Sequence, residues 1–144
     1  MSLAHILNEK GRVVITTKPT STVSEIAILL TKHQIGAIVI INDSGAVLGI
    51  VSERDIVREM SKNGTDALQL QAVDIMTTNV HTAQPDDRET ELMALMTERR
   101  IRHVPVMHDG QLAGMISIGD VVKQRIKEIE REAAEMKAYI TTAY

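Results

Sequence analysis

The stretch that decides the fold is Gly49-Ile50-Val51-Ser52-Glu53-Arg54-Asp55, which is echoed by Gly114-Met115-Ile116-Ser117-Ile118-Gly119-Asp120. In both strings a run of apolar residues ends at a serine, and an aspartate follows three positions later. This pattern predicts a strand that leads directly into a helix. The serine hydroxyl is suited to cap free N–H groups of the first turn, and the aspartate suits the positive end of the helix dipole. Helix capping alone is enough to explain one such string.

The same arrangement is also suited to bind a nucleoside phosphate. A helix N-terminus offers N–H groups and the serine hydroxyl to a phosphate, while the aspartate carboxylate accepts hydrogen bonds from ribose hydroxyls. The occurrence of serine and aspartate in both strings favours this hypothesis, because a cap also tolerates Thr, Asn, Glu or Gln. A duplicated segment would copy a cap as well, so both interpretations stay open.

The two strings belong to an internal repeat. Pro19 aligns with Pro85 at a shift of 66 residues, and after Ser44 the shift becomes 65, so that Gly45 aligns with Gly110. A gap of one residue in a turn is typical of duplicated halves that differ in a tolerant loop.

Each half predicts the element order β-α-β-β-α. A short strand at residues 13–15 or 80–82 precedes a helix with apolar residues at helical spacing. Two β-branched strands then form a hairpin that enters a helix at Ser52 or Ser117. The expected fold is a mixed α/β fold of two such repeats packed about a pseudo-twofold axis, with an extended C-terminal helix. We assign residues 1–61 to the first repeat with a short N-terminal helix, 62–78 to a connector, 79–125 to the second repeat and 126–144 to the C-terminal helical extension.

Composition excludes several classes of function. With 16 Lys and Arg against 19 Asp and Glu, the net charge of −3 gives no general attraction to nucleic acid or anionic lipid. The absence of cysteine excludes thiolate nucleophiles, disulfides and iron–sulfur ligation. No apolar stretch is long enough to span a bilayer, so we expect a soluble, cytoplasmic protein without a membrane partner. His103 and His108 lack a carboxylate or cysteine at metal-binding spacing, and no metal site is predicted.

The C-terminal segment carries a heptad pattern. Its apolar positions alternate in steps of four and three residues: Val122, Ile126, Ile129, Ala133, Met136 and Ile140. Charges of opposite sign flank this seam, with Arg125 and Glu132 at g positions and Glu130 and Lys137 at e positions, as a coiled-coil dimer requires. The pattern predicts a homodimer supported by this helix. The alternative is an amphipathic helix that lies on its own core.

The chain resembles a tandem pair of cystathionine-β-synthase (CBS) domains. The resemblance covers nearly the whole chain and is carried by Val73-x-Asp-Ile-Met-Thr77, by Ile101-Arg102-His103-Val104-Pro105-Val106 and by the two Gly-x-x-Ser-x-x-Asp strings. It implies regulatory binding of adenine nucleotides, chiefly AMP, ADP, ATP, NAD(H) or S-adenosylmethionine, and it implies no catalysis.

The resemblance also implies roles for individual residues. Asp55 and Asp120 would hold ribose hydroxyls, and Ser52 and Ser117 would contact phosphates. Base pockets would be formed by ten residues of the two halves: Thr16, Thr17, Pro19, Ile38 and Val39 in the first, and Thr82, Ala83, Pro85, Val104 and Pro105 in the second.

The halves differ in charge near these positions. Arg54 has no cationic counterpart in the second half, whereas Arg102 and His103 align with Gly36 and Ala37. We interpret Arg54, Arg102 and His103 as one shared phosphate-binding cluster, which makes the two sites unequal. Such a cluster favours a phosphorylated ligand over the sulfonium cation of S-adenosylmethionine.

These observations predict a non-enzymatic sensor that binds an adenine nucleotide and signals to an unidentified effector protein. Ligand binding would change the geometry of the domain pair or of the dimer. The alternative is a ligand-independent assembly module, and an enzyme ranks third because no catalytic constellation is visible.

Overall fold

Two repeats of the predicted unit follow one another in the computed structural model, which describes residues 1–142. The first has the order β-α-β-β-α, and the second, within these residues, has the order α-β-β-α. In chain order the elements are α1 (Leu3–Lys10), β1 (Thr16–Thr17), α2 (Val23–His33), β2 (Ala37–Ile41), β3 (Val47–Ser52), α3 (Glu53–Asn63), a 3₁₀ helix (Gly64–Gln69), α4 (Ala72–Ile75), α5 (Glu89–Arg99), β4 (His103–His108), β5 (Gln111–Ser117) and α6 (Ile118–Thr142).

The two predicted hairpins are present. β2 pairs antiparallel with β3, and β4 pairs antiparallel with β5. Each ladder has a register irregularity at the equivalent position, after Ile40 in the first repeat and after Val106 in the second. In the first turn, Asn42 Oδ1 accepts hydrogen bonds from the Ser44 and Ala46 backbone N–H groups. The asparagine thus fixes the turn through its own side chain.

The first strand of each repeat differs from the prediction. Residues 13–15 are not a strand: β1 consists of Thr16 and Thr17, which pair parallel with β2, whereas Val13 is 88% exposed. In the second repeat residues 80–82 form no strand, and only Ala83 bridges to Val106. The apolar run alone did not indicate where pairing with the neighbouring strand begins.

Each repeat has its own apolar core. Val23, Ile26 and Leu30 on α2 pack on the first sheet, and Leu92 and Met96 on α5 pack on the second. These residues lie three or four positions apart, so they share one face of each helix. The helical period in the sequence therefore predicted the buried faces correctly.

The short helices that precede the repeats are exchanged between them. α1 buries Leu3, Ile6 and Leu7 in the core of the second repeat, although the sequence grouped it with the first. Conversely, α4 of the predicted connector buries Ala72 and Ile75 in the core of the first repeat. The grouping by chain order is thus corrected: each repeat is completed by a helix that precedes the other one.

Two equivalent glycines make this exchange possible. A Cβ atom built at Gly49 would lie 2.7 Å from Met76 Sδ, and one built at Gly114 would lie 2.6 Å from Leu7 Cδ2. A side chain at either position would force a neighbour to shift, because real Cβ contacts do not approach so closely. Glycine in these strands therefore allows the exchanged segments to pack directly on the sheet.

The helix α6 extends well beyond the second repeat. Val121 and Gln124 are buried on its first turns, and every described residue from 129 onward is exposed. The predicted extension ends at residue 144, and its last two residues lie outside the described part of the chain. Among residues 1–142 no helix has the length and apolar character that crossing a membrane requires.

Candidate functional site

The string around Ser52 and Asp55 forms a helix cap that also presents a carboxylate. The Ser52 hydroxyl accepts a hydrogen bond from Asp55 N, and Asp55 Oδ2 accepts bonds from Ser52 N at 2.9 Å and Ser52 Oγ at 3.1 Å. Asp55 Oδ1 accepts a bond from Arg58 Nη1 at 3.0 Å. The capping interpretation is therefore correct for this string. A cap of this kind holds the carboxylate in a fixed orientation at the end of β3.

The equivalent string in the second repeat has the same geometry with a different cation. Asp120 Oδ2 accepts hydrogen bonds from Ser117 N at 2.8 Å and Ser117 Oγ at 2.9 Å, and it lies 2.6 Å from Lys10 Nζ. Burial alone would raise the pKa of the Asp120 carboxyl, but the bonds from Lys10 and Ser117 hold the pKa below its ordinary value. Asp120 therefore stays ionised through its pairing with α1.

A cavity of about 260 Å³ lies between the repeats beside Asp55. We call it the inter-repeat cavity, and its lining comes from the first repeat, from the segment that enters the second and from the turn before β4: Gly36, Ile50, Ser52, Glu53, Arg54, Asp55, Arg58, Thr77, Asn79, Val80, His81, Arg100, Ile101, Arg102 and His103. The five residues Ser52, Arg54, Asp55, Arg102 and His103, predicted as ribose or phosphate contacts, are all among them. Ser117 and Asp120 are not.

The lining of the inter-repeat cavity is positively charged. Four arginines face two carboxylates there, those of Glu53 and Asp55. Within residues 1–142, Arg54, Arg100 and Arg102 have no carboxylate within the 4.0 Å ion-pair distance. Guanidinium groups without an internal counter-ion are suited to bind phosphate through charge-assisted hydrogen bonds. The cavity can therefore accept an anion.

His103 lies at the wall of the cavity where the repeats meet. Burial lowers the pKa of its imidazole below the ordinary value, Lys10 and Arg102 lower it further, and Glu53 and Asp120 act in the opposite direction. The ring is close to Gly36, since a Cβ built on that glycine would lie 3.0 Å from His103 Nε2 and from Glu53 Oε1. Gly36 thus keeps space open between the two side chains.

Comparison with known proteins agrees with this architecture. The sequence model described as "CBS domain" matches twice, over residues 10–62 and 72–127, which together make up most of the chain. The chain belongs to the CBS-domain family. Its two repeats are a CBS pair, as the sequence motifs predicted.

Relatives of the CBS pair include proteins of known structure. The crystal structure of the CBS-domain-containing protein ATU1752 from Agrobacterium tumefaciens has 44% sequence identity and a TM-score of 0.85, and the match covers 87% of this chain and 99% of that one. The mitochondrial CBS domain-containing protein CBSX3 of Arabidopsis thaliana is 37% identical over 119 residues, 80% of this chain. The match spans only 58% of the length of CBSX3.

One related structure contains adenosine derivatives. The CBS domain pair of protein MJ0100 was crystallised in complex with 5′-methylthioadenosine and S-adenosyl-L-methionine. It shares 26% identity with this CBS pair at a TM-score of 0.80, and the match covers 89% of this chain and 98% of that one. CBS pairs of this fold thus include members that bind adenosine-containing ligands.

The ten residues predicted for base pockets lie outside the inter-repeat cavity. Ile38, Val39, Ala83, Val104 and Pro105 are buried, and Ile38 and Val104 belong to the two apolar cores. Thr16, Thr17 and Pro19 in the first repeat and Pro85 in the second are partly exposed, whereas Thr82 is exposed. Their role in binding a base remains a prediction.

Sequence reasoning missed four charged or titratable residues of the cavity: Glu53, Arg58, His81 and Arg100. Arg58 had a local signal, because it follows Asp55 by three residues and so lies on the same face of α3. Arg100 adopts a left-handed conformation with φ of 54°, like Gln34 at the equivalent helix end. This conformation ends α5 and places Arg100 in the cavity wall. One arginine at a predicted helix end does not indicate that the residue adopts this conformation.

Proposed function

We propose that this CBS pair binds an adenine nucleotide in the inter-repeat cavity and acts as a regulatory sensor. The observation that carries the proposal is the meeting of Ser52 and Asp55 from one repeat with Arg102 and His103 from the other around one cavity. A carboxylate fixed by a helix cap is suited to accept the ribose hydroxyls. The arginines on the opposite wall are suited to accept the phosphates.

The charge of the cavity supports a ligand that carries phosphate. If the ligand were itself a cation, as S-adenosylmethionine is at its sulfonium, the positive charges of Arg54, Arg100 and Arg102 would stay uncompensated. AMP, ADP, ATP and NAD(H) offer the complementary charge. The adenosine derivatives bound by the MJ0100 pair support the nucleoside part of the ligand.

Signalling would follow from the position of the ligand between the repeats. A nucleotide that contacts Asp55 on one side and Arg102 on the other favours the arrangement in which both are in reach. Only this difference in affinity between arrangements can shift their populations. An effector protein that contacts both repeats, or the dimer, would detect the shift.

Thermal unfolding with AMP, ADP, ATP, NAD, NADH and S-adenosylmethionine tests the proposal. At a ligand concentration one hundred times the dissociation constant, one site adds about 2.7 kcal/mol to the free energy of unfolding. We expect a higher melting temperature with at least one phosphorylated ligand and a smaller effect with S-adenosylmethionine. If no ligand raises it, in protein freed of bound nucleotide, the sensor proposal is wrong.

The variant Asp55→Asn and its matched control locate the binding site. Asp74 caps α4 as Asp55 caps α3, because its Oδ2 accepts a bond from Gln71 N at 2.9 Å, but Asp74 lies outside the inter-repeat cavity. We expect Asp55→Asn to remove the ligand-induced stabilisation and Asp74→Asn to leave it intact. Equal losses in both variants would mean that capping, not ligand contact, is what the carboxylate provides.

A second candidate function, assembly through α6, is favoured by one observation. All six apolar heptad positions are exposed in the single chain: Val122, Ile126, Ile129, Ala133, Met136 and Ile140. Burial of a half-exposed isoleucine contributes about 1 kcal/mol, so an uncovered seam of this length favours association. The alternative of packing on its own core accounts for only the first turns of the helix.

We propose that the partner of this seam is α6 of a second copy in parallel orientation. Arg125 of one chain then faces Glu130 of the other, and Glu132 faces Lys137, each pair opposite in charge. Arg125 Nη1 also donates to Glu128 in its own chain at 3.0 Å, and its remaining N–H groups stay available.

Light scattering on two charge-matched variants tests the dimer. The double variant Ile129→Glu with Met136→Glu places four negative charges in the seam of a dimer. We expect light scattering to give the mass of one chain for this variant, instead of the mass of two. Ala134→Glu with Ala138→Glu adds the same charge to the outer face and should leave the dimer intact. A seam variant that keeps the wild-type mass would contradict the coiled coil.

A further inference from the structure

The second Ser-x-x-Asp string of this CBS pair holds a cation from its own chain. Lys10 Nζ lies 2.6 Å from Asp120 Oδ2 and also donates a hydrogen bond to the Met115 carbonyl. Both side chains are partly covered, with 34% of Lys10 and 22% of Asp120 exposed. The ammonium group thus pairs with Asp120 Oδ2, the oxygen that also accepts both hydrogen bonds from Ser117.

The fold fixes Lys10 at this place. The helix α1 is anchored in the second core by Leu3, Ile6 and Leu7, and Lys10 is its last residue. In the first repeat the carbonyl equivalent to that of Met115 belongs to Ile50 and accepts its bond from Thr77 N at 2.9 Å. This carbonyl therefore accepts its bond from the Lys10 side chain in the second repeat, whereas in the first repeat the donor is the backbone of Thr77, which follows α4.

The first string has a more exposed cation. Asp55 is bound by Arg58, which comes from the same helix and whose side chain is 58% exposed. A half-exposed arginine can move toward an entering phosphate without any change in the fold. Lys10 can leave Asp120 only if its own side chain rearranges within the contact between α1 and the second repeat.

The surroundings of Asp120 also lack the arginines that line the inter-repeat cavity. The groove beside Asp120 has a volume of about 240 Å³ and is lined by residues of α1 and α6, including Lys123 and Lys127, of which Lys127 pairs with Glu9 at 3.4 Å. Where the first string faces Arg100, Arg102 and His103, the pseudo-symmetric residues are Gln34, Gly36 and Ala37. No guanidinium is present at these equivalent positions.

We infer that Lys10 is the internal counter-ion of Asp120, so that this CBS pair binds one nucleotide per chain, at Asp55, while the second string serves to anchor α1. The inference rests on the proposed function for its stoichiometry. It departs from the expectation that Asp120 and Ser117 contact a second ligand.

Titration calorimetry with ATP, and with AMP in parallel, tests the stoichiometry. We expect one nucleotide per chain for the wild type, at least tenfold weaker binding for Asp55→Asn, and affinity within about twofold of wild type for Asp120→Asn. Two nucleotides per chain would overturn the inference. Equal weakening by Asp120→Asn and Asp55→Asn would overturn it as well.

A ligand-free measurement tests the ion pair by itself. We expect Lys10→Met and Asp120→Asn each to lower the midpoint of urea unfolding, and the double variant to lower it no more than the stronger single variant. Additive shifts would show that the two groups do not interact. If the wild type binds none of the nucleotides of the thermal-unfolding screen, the proposed function and the single-site stoichiometry both fail, and this cycle still decides whether Lys10 neutralises Asp120.

Discussion

The contact between Leu7 and Gly114 determines whether α1 can reach the second repeat, and the effect of disturbing it can be worked out from the structure. Leu7 is fully buried, and a Cβ at position 114 would lie 2.6 Å from its Cδ2 and 3.1 Å from its Cδ1. We expect Gly114→Ala to destabilise the fold by about 1–3 kcal/mol, which is typical of overpacking in a dense core. The added methyl group forces α1, and with it Lys10, away from the sheet.

The matched substitution at Leu7 separates this contact from other effects of alanine. Leu7→Ala alone should cost about 2–5 kcal/mol, because it leaves a cavity in the core. In that background the side-chain atoms that clash with the new methyl group are absent, so Gly114→Ala should be nearly neutral. The two substitutions are thus expected to be strongly non-additive.

Urea unfolding of the wild type, both single variants and the double variant measures this coupling. Gly119→Ala is the control for the change of residue type, since the nearest atom to a Cβ there is Ser117 Oγ at 3.6 Å. It should stabilise α6 by roughly 0.5–1 kcal/mol. If Gly114→Ala costs the same with and without Leu7, close packing of α1 is not the reason for glycine at this position.

Three further predictions concern the titratable groups His103 and Glu89 and the space beside Gly36. The affinity for NAD should rise as the pH falls toward the lowered pKa of His103, because a bound phosphate favours the protonated imidazole. Calorimetry in buffers of different ionisation enthalpy measures the proton uptake, and His103→Gln should abolish it. Gly36→Ala should weaken nucleotide binding without a large change in melting temperature, as equilibrium titration and thermal unfolding together show, because the methyl group displaces His103 into the cavity. Glu89 is 3% exposed, its Oε1 has no hydrogen-bond partner in the described part of the chain, and burial followed by the neighbouring Glu128 raises its pKa. The fold loses stability as the pH rises through that pKa, so Glu89→Gln should raise the urea midpoint at pH 7 and the gain should vanish at pH 4.

The sequence was sufficient to predict the parts of the fold that depend on local patterns. Helical spacing on α2, the turn at Asn42 and the caps at Ser52 and Ser117 all follow from residues within one or two turns of each other. Alignment of the halves extended this to the repeat as a whole. These features were predictable because the residues that stabilise them are neighbours in the chain.

The exchange of α1 and α4 was not predictable in the same way. Either helix has an apolar face that fits either core, and the choice depends on contacts between residues far apart, such as Leu7 with Gly114. The glycines at positions 49 and 114 were visible as conserved features of the internal alignment, but a strand glycine signals close approach without naming the neighbour. Lys10 had no signal, because one lysine at the end of a helix is usually solvated.

The candidate site shows how a duplication acquires unequal halves. The caps at Asp55 and Asp120 superimpose in every hydrogen bond to their serines, so the strings alone predict two equal sites. The two sites are unequal because different residues face each string, both from the other repeat and from the exchanged helices. Arg102 lines the cavity with Asp55, whereas the residue symmetric to Arg102 is Gly36. Lys10 binds the Met115 carbonyl as well as Asp120, whereas the symmetric carbonyl of Ile50 binds the backbone N–H of Thr77. Around Asp55 the cations come from both repeats, so this site responds to their relative position, whereas Asp120 pairs with Lys10 of the helix that is anchored in the core of the same repeat.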